Sequence, residues 1–218
     1  MSEDKQGQGP TYDAMSARGL AGKRDYVRSL EQRRDEEALS LLVECLCDES
    51  AYLRELAEAA LFKMGERTGG TLLPLLDQGL WFSRTSAARV LGRLGFRDAV
   101  VPLLRLMDDS VESVAREAVA SLAVLGHRGG SVRIAWELHR SEPGLRRERL
   151  TRLAFHDRPL GERLERMLRN GELMTTDDPD SLRDDSELVR ASEEGVEWEV
   201  LTGPPHTKRP GGPEPGTA

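Results

Sequence analysis

The chain has 218 residues, 32% of them charged and only 5% aromatic, with a net charge of −7. Two cysteines exclude a disulfide framework and suit a reducing compartment, and no run approaches the ~20 apolar residues that span a bilayer. The acidity is confined to residues 172–218, with 12 acids and 4 bases, against 26 acids and 27 bases in residues 1–171; a near-neutral body weakens any general case for nucleic-acid binding by charge.

Residues 1–14 are polar, lack an apolar stretch of signal-peptide length and are expected to be disordered. A soluble, cytoplasmic protein is the expectation. Residues 15–34 follow, with Leu20, Tyr26, Val27 and Leu30 at helical spacing, as a helix covering the end of what comes next. Then one phrase is written three times, as LRELAEAALFKMG, SRTSAARVLGRLG and AREAVASLAVLG. Aligned on it, Leu61, Leu91, Leu122 and Leu153 stand 30, 31 and 31 residues apart, a period that signals a helical repeat array. Four residues before each leucine come Ala57, Ala87, Ala118 and then Arg149; four after come Gly65, Gly95, Gly126 and then Asp157. The alanines let helix backbones approach, and the glycines can take the left-handed conformation that closes a helix.

The segments before these phrases match too. TLLPLL and AVVPLLRLMDD share a proline followed by two leucines, with the proline near a helix start, where it costs little. The acidic turns CDES and MDDS offer caps for the following helix. Each unit reads as helix, turn, helix. The boundaries are 35–66, 67–96, 97–127 and 128–157, with a C-terminal capping helix over 158–171 carrying Leu160, Leu164, Met167 and Leu168.

On these residues, above all FRDAVVPLLRLMDDSVESVAREAVASLAVLG, the stretch 35–157 resembles HEAT-repeat proteins of the bacterial PBS-lyase HEAT-like type. The resemblance implies an all-α fold: a short α-solenoid of about four HEAT-like hairpins between capping helices. In that family a Val-Arg or Leu-Arg pair opens the second helix. Arg54 and Arg146 follow a leucine as that pattern asks, Arg84 follows Ser83, and Arg116 lies one place late.

Residues 172–218 are rich in Pro, Gly, Asp and Glu, and an acidic disordered tail is expected there. Within it, residues 187–201 (ELVRASEEGVEWEVL) hold Trp198 among alternating apolar residues, a candidate short docking motif acting in cis or in trans.

Catalytic chemistry finds little support. Cys45 and Cys47, two apart on a helix, point to different faces with no third ligand nearby. Deoxyhypusine hydroxylases of HEAT build hold iron through His-Glu dipeptides, and this chain has none. A HEAT-like alkylpurine glycosylase site would have to be assembled from Trp81, Trp136 and Asp77, on a body with too little positive charge. No cofactor or metal is implied. From residue 128 to 158, however, eight arginines face four acids, and Arg146, Arg147, Arg149 and Arg152 cluster.

The expected function is a non-enzymatic scaffold or adaptor that binds a partner protein or peptide on the solenoid surface, modulated by its acidic tail. Candidate partner-binding residues are Arg54, Arg84, Arg89, Arg116, Arg146, Arg147, Arg149, Arg152 and Trp198, with Glu58 also facing the groove. The alternatives are a bilin-lyase-like enzyme or enzyme subunit, and nucleic-acid binding through the arginine-rich fourth repeat.

Overall fold

The computed structural model describes residues 19–169, which form ten α-helices and no strand. They are α1 (Leu20–Arg33), α2 (Glu36–Cys45), α3 (Ala51–Met64), α4 (Gly69–Gln78), α5 (Trp81–Leu94), α6 (Val100–Leu106), α7 (Glu112–Leu125), α8 (Ser131–Arg140), α9 (Pro143–His156) and α10 (Arg158–Arg169). Four antiparallel pairs, from α2–α3 to α8–α9, stack in sequence. The first helices α2, α4, α6 and α8 make one row, and the second helices α3, α5, α7 and α9 make the other. α1 packs on α3 and α2, and α10 packs on α9 and α8, so each end of the stack is covered by a helix. The protein is an all-α solenoid.

The leucine register explains why the rows hold together. Leu61, Leu91, Leu122 and Leu153 are all fully buried, as are Ala57, Ala87 and Ala118 one turn earlier. No single hairpin can bury its apolar face alone, so each leucine is covered partly by the next pair. Tyr26, Val27 and Leu30 of α1 are buried against the first pair, but Leu20 is 64% exposed and takes no part.

Local chemistry sets the helix ends. Asp35 accepts from the Ala38 N–H at 2.7 Å, and Ser50 accepts from the Leu53 N–H at 3.4 Å, each satisfying an orphan donor. The second acidic turn differs from expectation. There Asp109 accepts from the Val111 N–H at 2.8 Å, and the N-cap position of α7 is Val111 itself, with no side-chain cap. Pro102 lies in the first turn of α6, whereas Pro74 sits inside α4. The carbonyl that Pro74 leaves without an N–H partner is that of Gly70, an exposed residue, so water can replace the lost bond.

Gly65 and Gly95 close α3 and α5 at φ of 78° and 69°. Gly126 does not follow them. It stays right-handed (φ −59°), and the chain continues through a π-helical turn over Gly126–Gly130, in which Gly129 takes the positive φ of 90°. Gly126 instead leaves room for a neighbour: a Cβ there would lie 2.7 Å from Leu160 Cδ1 of α10, and that side chain would have to shift.

Candidate functional site

The arginines that open the second helices serve a shared purpose inside the fold. Arg54 donates to the Asp48 carbonyl (2.7 Å), Arg84 to the Gly79 carbonyl (2.8 Å) and Arg146 to the His139 carbonyl (3.4 Å). Each reaches back to a carbonyl at the end of its own hairpin's first helix (Arg84, Arg146) or in the turn just past it (Arg54), where helical partners run out and a cation is favoured. Arg84 also bonds Asp109 at 2.9 Å, linking its helix to the next turn. Arg116, one place late, makes no such staple. Its side chain is 74% exposed and meets only the equally exposed Glu112 at 3.8 Å.

Arg89 joins three second helices. Its guanidinium donates to both oxygens of Glu58 on α3, at 3.0 and 3.1 Å, and to Glu117 on α7 at 2.6 Å. Burial works against its charge, but the Glu117 hydrogen bond and the Glu58 carboxylate outweigh it and raise its affinity for the proton. Glu58 is 5% exposed and committed to this pair. In the fourth pair, Arg149 is buried and bonds Asp108 at 2.6 Å, while Arg152 reaches the other Asp108 oxygen at 3.4 Å. Arg147 is exposed and makes no ion pair among the described residues. Trp198 lies outside the described residues.

A groove of about 730 Å³ runs across α5, α7 and α9 on the second-helix face. Thr85 and Arg89 line it from α5; Arg116, Val119 and Ala120 form its middle; Arg152 and Phe155 line it from α9. Phe155 is 94% exposed. The groove thus has an apolar floor, an arginine rim and an unburied aromatic ring. Sequence reasoning missed Phe155, although a signal existed. At the same register position the earlier copies carry Lys63, Arg93 and Val124, so the outward site turns from cationic to apolar along the array. Val124 is itself 41% exposed.

Residues 83–109 match a family model described as PBS lyase HEAT-like repeat. This chain carries HEAT-like repeats. The match begins in the second helix of one pair, α5, and ends just past the first helix of the next, α6, spanning the Gly95 turn. No curated protein matches the chain.

Other candidate chemistry does not gather at this face. Among the described residues, no three His, Cys, Asp or Glu side chains are placed to hold a metal ion. No described helix is long and apolar enough to cross a membrane. Burial pushes the Cys45 thiol up to about 12, with the Asp48 charge adding to it, so it is no nucleophile at neutral pH. Trp136 stacks with Arg140 on α8, two hairpins away from Trp81, and Asp77 pairs with Arg105 at 3.4 Å.

Proposed function

We propose that this protein is an interaction module whose groove on α5, α7 and α9 binds an acidic peptide segment of a partner protein, anchored by an aromatic side chain. The observation that carries this reading is Phe155, an aromatic ring left 94% exposed beside an arginine rim. Exposed aromatics and arginines are the residue types that dominate binding energy at protein interfaces. Arg116 can offer a planar fork to a carboxylate there, because it is not held by a strong internal pair.

The same accounting disfavours a nucleic-acid surface. Of the arginines in the fourth pair, Arg146, Arg149 and Arg152 are spent on a carbonyl or on Asp108. Few cations therefore remain to neutralise successive phosphates. For bilin chemistry, only the repeat itself speaks.

Selection from a random peptide library against the full chain tests the proposal. The expected result is a consensus combining acids with one aromatic residue, bound at least tenfold more weakly by the Phe155→Ala/Arg116→Glu double variant. A selection without such a consensus, or one bound equally by that variant, overturns it.

A further inference from the structure

The groove's chemistry finds its complement within the same chain. Residues 193–201, EEGVEWEVL, carry four glutamates and no base, with Val196, Trp198 and Val200 at every second position. In an extended peptide such spacing puts the three apolar side chains on one face and Glu197 and Glu199 on the other. No other segment beyond Arg169 joins a tryptophan to such a run of acids. Resting on the reading of this groove as a peptide site, we infer that residues 193–201 occupy it in cis, with Trp198 against Phe155 and the Val119 floor and the glutamates toward Arg116. A partner must then displace this segment before it can bind.

Three observations support cis occupancy. The groove offers a positive group where the segment is negative: Arg116 is 74% exposed with only Glu112 near it at 3.8 Å, and the segment carries −4. The reach suffices. Twenty-three residues separate Arg169 from Glu193 and can extend to roughly 80 Å. α10, which starts beside Phe155 and ends at Arg169, is only about 18 Å long. Finally, tethering converts the encounter into an intramolecular one, at an effective concentration of about a millimolar. Even a modest intrinsic affinity would keep the groove largely filled.

The test uses a labelled synthetic peptide of residues 187–201 and three versions of the full chain, read by fluorescence anisotropy. Wild type should bind the peptide weakly, because its own segment competes. Trp198→Ala, with that segment weakened, should bind at least about tenfold more tightly, the factor by which the occupied fraction lowers apparent affinity. Adding Phe155→Ala to Trp198→Ala should abolish the gain. Because Phe155 is exposed, the double variant should melt with Trp198→Ala, which separates lost binding from lost folding. Equal affinity of wild type and Trp198→Ala overturns the inference, as does a peptide that binds neither. A self-association that grows with concentration and vanishes in Trp198→Ala assigns the segment to a second copy, and overturns cis occupancy too. Each of these failures leaves the library consensus intact if the groove binds other acidic peptides; loss of the consensus is the separate failure of the groove itself.

Discussion

The seam between α5 and α7 and the seam between α7 and α9 occupy equivalent places in the array, yet they are built differently. Among the described helices, α5 and α7 make the most extensive contact, and α7 and α9 a much smaller one. Small residues account for the first. A Cβ on Gly92 would lie 2.7 Å from the Ser121 carbonyl oxygen, so only glycine allows that approach. Ala87 and Ala118 are fully buried within it. In the second seam Arg149 stands where Ala118 stands in the first, and its side chain needs both volume and the Asp108 carboxylate. A long charged side chain thus stands in the second seam where the first has a methyl group.

The largest effects should come from the shared leucine. Leu122 and Leu153 are both fully buried, so either truncation to alanine should cost about 2–5 kcal/mol, the range set by how far the surroundings relax. Leu122→Ala, in the rigid seam, should fall at the upper end, and Leu153→Ala lower, since α9 has fewer close neighbours. Urea denaturation of both variants checks this. Equal losses would mean that the two seams pack alike, whatever their contact areas.

The middle of the range belongs to Arg149. Asp108 is 38% exposed and keeps Arg152 at 3.4 Å, so removing Arg149 strands no buried charge. Arg149→Met, which keeps much of the volume, should cost about 1–3 kcal/mol, the scale of a hydrogen bond to a charged group. The melting temperature should drop accordingly, and less than for Leu122→Ala.

These two comparisons also show how much of the molecule was legible in its sequence. The 30- and 31-residue spacing of Leu61, Leu91, Leu122 and Leu153 sufficed for the repeat, because helix periodicity and burial leave a local trace. Arg54, Arg84 and Arg146 were visible as a recurring position. Their use as staples to carbonyls was not, since it depends on where the preceding helix ends. Gly126 misled because a glycine that leaves room for Leu160 looks the same, in sequence, as one needed for a positive φ. The groove lay furthest out of reach: its walls come from three helices, and only the drift from Lys63 and Arg93 to Val124 and Phe155 foreshadowed it.

Acid should act on the open seam through Asp157, which ends α9 and caps α10 by accepting from the Leu160 N–H at 2.9 Å. Burial pushes this carboxyl up, but the Leu160 bond and the 2.7 Å contact with His127 outweigh it and hold it below the ordinary aspartate range. A folded value below the unfolded one means that the stabilisation is present above about pH 4 and is lost as pH falls through the folded value. The melting temperature of wild type should therefore fall more steeply below pH 4 than that of Asp157→Asn. Parallel curves would show that this carboxylate contributes no such stability.

The smallest effect on stability should come from the residue with the largest proposed effect on binding. Phe155 leaves 94% of its surface in water, so Phe155→Ala removes almost no buried area and creates no cavity. With Trp198→Ala as background, the change in unfolding free energy should stay within about 0.5 kcal/mol, in contrast to Leu153→Ala two residues earlier on the same helix. In wild type the loss should reach about 1 kcal/mol or more, because a groove filled about tenfold over by the segment adds that much stability. With Trp198→Ala as background such a loss should disappear, since the segment proposed to cover the ring would no longer hold it.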